Sequence, residues 1–190
     1  MAVQLSNSVF YHVPKTGGTW VRSALDRAKI SRHEIGSYHR IPFEAKEMYS
    51  FCFVRHPCDW YKSFFCFRSL SGWKPGHEKI DDYETKDFSE FIVNCTSTPG
   101  WLTERFSPYV DGVDFVGKQE NLCEDLIIAL NAAGELFDEE DIRTMTPVNQ
   151  AADLVLSGAK YGDCAVWTPE LRQLVWESEK ETFERFKYCL

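Results

Sequence analysis

The order of elements along the chain predicts an α/β protein, a parallel sheet whose faces are covered by helices. Three observations carry that expectation. Val9–Val13 and Tyr49–Val54 are short apolar runs rich in β-branched and aromatic residues, the character of buried strands. Each is followed by a breaker and then by a stretch with helix-start signals, at Thr19 and at Pro57. A third run, Asp114–Gly117, precedes the apolar-periodic stretch NLCEDLIIALNAA, which closes at Gly134. With 190 residues, 44% hydrophobic and 15% aromatic, the chain has material for one such domain over residues 1–190.

The first strand stops at Pro14, and Gly17 and Gly18 punctuate a loop. From Thr19 the sequence TWVRSALDRAK reads as a helix, with Thr19 as N-cap and Val21, Leu25 and Ala28 at helical spacing. Arg55, His56 and Pro57 end the second strand, and CDWYKSFFCFRSL continues as a helix with Asp59 in its first turn. Residues 71–87 are polar with glycine and proline, a long loop or lid, and Phe88–Cys95 is a short helix behind it. Residues 145–167 read as irregular. Thr168 then caps a final helix, with Pro169 at its first position and Leu171, Leu174, Val175, Phe183 and Phe186 along one face.

The net charge of -8 argues against a nucleic-acid partner. The basic residues are concentrated, however: residues 12–68 hold ten Lys/Arg against five Asp/Glu, and residues 69–190 hold eleven against twenty-four. An electropositive region within an acidic chain suggests a small anionic ligand. No run of eighteen apolar residues could span a bilayer, and the first residues lack a cationic start followed by an apolar run. Seven cysteines, an odd number with no CxxC pair and no zinc spacing, read as reduced thiols, so the expected location is cytoplasmic and no metal is expected.

Pro14-Lys15-Thr16-Gly17-Gly18-Thr19-Trp20 lies between a strand and a helix. Glycines let the backbone approach a ligand, a helix N-terminus offers N–H groups, and Lys15, Thr16 and Thr19 add a cation and hydroxyls. The pattern suits a phosphate or sulfate; the competing reading is a glycine turn beside a surface lysine. It is not a Walker A loop, because Lys15 precedes both glycines. Phe53-Val54-Arg55-His56-Pro57 ends the next strand, where open α/β sheets bind ligands, and Ser63 follows Arg55 by eight residues.

Together these two motifs resemble the sulfotransferases that use 3′-phosphoadenosine 5′-phosphosulfate (PAPS), in the carbohydrate-type branch. VDFVGKQENL and WTPELRQLVWESEKETFERFKY are similar to later segments of that family. The resemblance implies a three-layer sandwich with a central parallel sheet, a P-loop-NTPase-like sulfotransferase fold. It implies that Lys15, Thr16, Gly17, Gly18 and Thr19 hold the 5′-phosphosulfate and that Arg55 and Ser63 bind the 3′-phosphate. Trp20 would lie by the adenine, or else serve as a core aromatic. A late 3′-phosphate contact has its nearest counterpart in Lys160, which otherwise reads as a solvated lysine.

The implied activity moves a sulfuryl group from PAPS, a co-substrate, to a hydroxyl of a carbohydrate or small molecule without a metal. Lys15 would stabilise the leaving oxygen. His39 is the expected base, with His12 as its rival and Glu34 and Glu44 in reserve; His33, His56 and His77 read as structural or loop residues. The competing functions are a nucleotide or small-molecule kinase and a non-catalytic nucleotide-binding module.

Overall fold

The computed structural model describes residues 2–35, 47–76, 79–145 and 165–190. The chain divides into two compact units, Met1–Arg55 with Phe106–Val148, and His56–Arg105 with Asn149–Leu190.

The first unit holds a five-stranded sheet in the order β3-β1-β2-β4-β5. Its strands are β1 (Ala2–Gln4), β2 (Ser8–Tyr11), β3 (His33–Ile35), β4 (Tyr49–Val54) and β5 (Phe115–Lys118). β2, β4 and β5 are mutually parallel, but β1 is antiparallel to both β2 and β3. The sheet is therefore mixed, and the expectation of a wholly parallel sheet is corrected. The cause lies at the first residues: Leu5 N–H donates to Ser8 O at 2.8 Å, closing a tight turn that can only return the chain antiparallel. Glu135 secures this turn, its buried carboxylate accepting from Asn7 N–H and Ser8 Oγ, each at 2.8 Å. Three-residue strands such as AVQ and HEI are too short for a periodicity to announce them.

α1 (Gly18–Arg27), α5 (Leu122–Ala132) and α6 (Glu139–Arg143) cover one face of the sheet. Phe10, Phe51 and Phe53 on that face pack with Val21, Ala24 and Leu25 of α1 and with Leu126, Ile127 and Leu130 of α5, all buried. The alternate residues Val9, Tyr11, Cys52 and Val54 are buried too, which is why these strands read as continuous apolar runs. Gly117 allows α5 to approach: a Cβ there would lie 2.6 Å from Phe53 and 2.9 Å from Asp125 Cβ.

The second unit is helical among its described residues, built from α2 (Pro57–Ser71), α3 (Phe88–Thr96), the start of α4 (Trp101–Val110), α7 (Pro169–Ser178) and α8 (Lys180–Arg185). Eight α-helices are present among the described residues of the whole chain. Aromatic rings dominate the core of this unit. Trp60 stacks on Phe64 at 5.3 Å, and Phe91 meets Tyr61, Phe64 and Phe65 at 5.2 to 6.4 Å. The stretch expected as a loop or lid is partly pinned: Asp81, in a 3-10 turn over Lys79–Tyr83, accepts from buried Arg68 at 2.6 Å.

The final helix, expected to be continuous, breaks at Glu179 (φ −107°, ψ 27°). The break turns a fully buried carboxylate onto the start of α4, where it accepts from Leu102 N–H (3.1 Å), Thr103 N–H (3.1 Å), Thr103 Oγ1 (3.2 Å) and Tyr61 Oη (2.8 Å). An acceptor anion at a helix N-terminus satisfies donors that the helix itself cannot. The six described cysteines are free. Burial pushes the Cys58 thiol up to about 11, against a smaller pull from Arg172, and burial moves Cys95 up further.

Two outcomes follow. Glu179→Ala leaves buried Tyr61 and the first N–H groups of α4 without their acceptor, and should cost about 3 kcal/mol of stability in chemical denaturation. Cys58 is held protonated in the folded chain, so its stabilising contribution is complete below its ordinary value of 9.0 and is lost as pH rises through about 11. Melting temperature should fall over that window, and less steeply in Cys58→Ala.

Candidate anion-binding site

Several segments of the first unit end at one edge of its sheet. Tyr11 of β2 lies beside Cys52 of β4, and Val54 of β4 beside Lys118 of β5, so these strands present their carboxyl ends together. β3 ends there as well, because Ala2 pairs with both Tyr11 and Ile35. From β2 the chain passes through α1 to β3 on one side of the sheet, and from β4 it proceeds to β5 on the other. The winding direction thus reverses between β2 and β4. In open α/β sheets the crevice beyond the strand ends at such a reversal is the place where ligands bind.

Lys15 and Arg55 flank this reversal. After β2 the turn 14–17 leads directly into α1, with Lys15 (φ 68°) and Gly17 (φ 88°) both left-handed. For lysine that conformation costs roughly 1–2 kcal/mol. Turns with left-handed residues direct backbone N–H groups into a concavity suited to an anion. Gly17 is the N-cap of α1 and brings no side-chain acceptor, so the first-turn N–H groups and the positive end of the helix dipole face the same space. Arg55 Nη1 donates to Lys15 O at 3.3 Å, tying the end of β4 to the turn.

The cradle depends on its glycines. A Cβ on Gly18 would lie 2.0 Å from His12 Cδ2 and 2.2 Å from His12 Nε2. One on Gly17 would lie 2.6 Å from Leu122 Cδ2 and 3.5 Å from Gln119 Cγ. His12 therefore floors the turn from β2, its ring stacked on Phe10 at 6.0 Å, and the start of α5 braces the turn from the side. Gln119, Leu122 and Lys118 were not singled out from sequence. The signal available was the motif VDFVGKQENL, which acquires a location only once β5 is paired beside β4.

Of the residues expected to bind the donor, Lys15, Thr16, Gly17, Gly18, Thr19 and Arg55 gather at this edge. Thr16 is fully buried and its Oγ1 donates to Val13 O at 2.8 Å. Its hydroxyl proton is thus committed to the turn. Thr19 is exposed in the first turn of α1. Trp20 is half-buried and packs against the hydrophobic cluster of the first unit. Ser63 belongs to the second unit, buried within α2.

His39, Glu44, His77 and Lys160 lie outside the described residues. Glu34, in β3, pairs with Arg22 of α1 at 3.5 Å, and His33 beside it is exposed. His56 is structural: a ring nitrogen, Nε2, lies 2.7 Å from Cys189 O, and the ring meets Phe183 and Tyr188 edge-on. Tyr11 also ends at the ligand edge, but burial, with the Asp114 carboxylate adding to it, raises its phenol, so it brings no charge.

No protein-family model, curated protein or solved structure matches this chain. Two cations, a helix N-terminus and a close-packed glycine turn meet at the strand ends, a combination whose chemistry suits phosphate or sulfate esters.

Gly18→Ala should displace either His12 or the turn, lowering stability by about 1–3 kcal/mol and weakening anion binding in calorimetry. Lys15→Gly relieves the left-handed lysine and should raise stability by up to about 1 kcal/mol while anion binding falls. A variant that gained stability and kept full affinity would remove Lys15 from the site.

Proposed function

We propose that this chain is a sulfotransferase that moves the sulfuryl group of PAPS to an acceptor hydroxyl. The observation that carries the reading is the pairing of Lys15 with Arg55 across the winding reversal, one in a glycine turn at a helix N-terminus and the other at the next strand end. PAPS is an anion at both ends, and the site offers a cation and a backbone cradle for one end with a guanidinium for the other. A Walker-type triphosphatase is disfavoured because its lysine follows the second glycine, whereas Lys15 precedes both.

In the proposed reaction the acceptor oxygen attacks sulfur in line with the bond to the 5′-phosphate. That S–O bond breaks, and the phosphate oxygen departs with the electron pair. Lys15 and the N–H groups of Gly17, Gly18 and Thr19 stabilise the negative charge that develops there. Arg55 holds the 3′-phosphate, which does not react. The acceptor proton passes to His39 as general base. The acidic composition outside residues 12–68 favours a neutral glycan or small hydroxyl compound as acceptor over a heavily sulfated one.

Thermal shift distinguishes this reading from a kinase: adenosine 3′,5′-bisphosphate should raise the melting temperature without magnesium, whereas a kinase would require ATP with magnesium. Incubation with labelled PAPS and a mixed library of hydroxyl acceptors should yield a sulfated product identifiable by mass. Binding without any product would instead indicate a nucleotide-binding module. His39→Ala should lower turnover by roughly a hundredfold or more with nearly unchanged donor affinity; an unchanged rate would remove His39 from the mechanism.

A further inference from the structure

Arg55 faces two demands within the first unit. Its Nη1 donates to Lys15 O, while its Nε is sealed from solvent and makes no hydrogen bond among the described residues. The carbonyl it holds belongs to the residue with the left-handed backbone, φ 68°. A lysine keeps that conformation only where its surroundings over-determine it. On the far side of the turn, Thr16 Oγ1 is fixed to Val13 O. On the near side the constraint comes from Arg55.

A guanidinium is a rigid planar fork of five donors, so fixing one of its edges orients the others. With Nη1 spent on the carbonyl, the remaining N–H groups of the fork are oriented along with it and suit an anionic oxygen. We infer that Arg55 couples the two halves of the site: its grip on Lys15 O keeps the turn in the form that receives one anion, and a second anion on the guanidinium reinforces that grip. The inference rests on the PAPS reading. It makes Arg55 a positioning residue for the turn as well as a contact.

The test is calorimetry on the full chain with two probes, adenosine 5′-phosphosulfate, which carries only the reacting end, and adenosine 3′,5′-bisphosphate. Arg55→Ala should weaken the 5′-phosphosulfate probe about tenfold or more, although that probe has no 3′-phosphate to lose. Arg55→Gln keeps an N–H donor for Lys15 O without the charge, and should bind this probe to within about threefold of wild type. Both variants should weaken the bisphosphate by about thirtyfold or more, the charged contact being gone in each. Should Arg55→Ala not fold, Arg55→Met, which keeps the apolar stem, replaces it. Wild-type affinity of Arg55→Ala or Arg55→Met for the 5′-phosphosulfate overturns the coupling and leaves Arg55 a plain 3′-phosphate contact. Equal losses of that probe in the Gln variant and the Ala or Met variant overturn it too, since charge alone would then explain both. Failure of the wild-type chain to bind either nucleotide overturns the PAPS reading itself.

Discussion

The parallel ladder between β2 and β4 is the constraint on which the candidate site depends. Because Ser8 to Tyr11 pair in register with Tyr49 to Cys52, the two strands end side by side, and whatever follows each of them must share one edge. Residues about forty apart in sequence, Lys15 and Arg55, meet for that reason. A slip of one residue in this ladder would turn Phe10 out of the face it shares with Phe51 and Phe53, so apolar burial and ligand geometry are specified by the same pairing. The strained lysine backbone and the close glycine contacts are tolerated because a buried sheet stands beneath them.

Much of this was legible in sequence, and the reasons are local. Buried strands advertise themselves as uninterrupted apolar runs, and YSFCFV was legible to the residue. Pro57 and Thr168 announced α2 and α7 because their roles at a helix start are set by covalent geometry and by a side-chain acceptor, and Thr168 Oγ1 does accept from Leu171 N–H at 3.3 Å. β1 and β3 were hidden by shortness, and with them the mixed character of the sheet. The break in the last helix was hidden for another reason. Glu179 lies amid good helix formers and departs from helical geometry only because donors distant in sequence, at Leu102 and Thr103, draw its carboxylate inward.

The site shows the same division. Which residues carry charge and which glycines lack a side chain can be read directly, so Lys15, Gly17, Gly18 and Arg55 were identifiable. What they do to one another could not be read. Thr16 looked like a hydroxyl for a ligand, yet its proton closes the turn on Val13. Trp20 offered either a platform for a base or a core aromatic, and it packs half-buried against the hydrophobic cluster. His12 looked like a rival catalyst, and its ring is the floor against which Gly18 must remain without a Cβ. The first is a local turn contact three residues back and the others are packing contacts, and residue type alone encodes none of them.

The two compact units are interleaved in sequence, each assembled from two separated stretches. The chain crosses between them three times, after Arg55, after Arg105 and after Val148. No single cut can release either unit whole, and during synthesis neither can close until its later stretch has left the ribosome. The glycine turn, although made within the first twenty residues, therefore waits for β5 and α5 before it is braced. The candidate edge is thus completed only after residues up to Ala132 have been added, and a chain terminated before β5 would carry the motif without its brace.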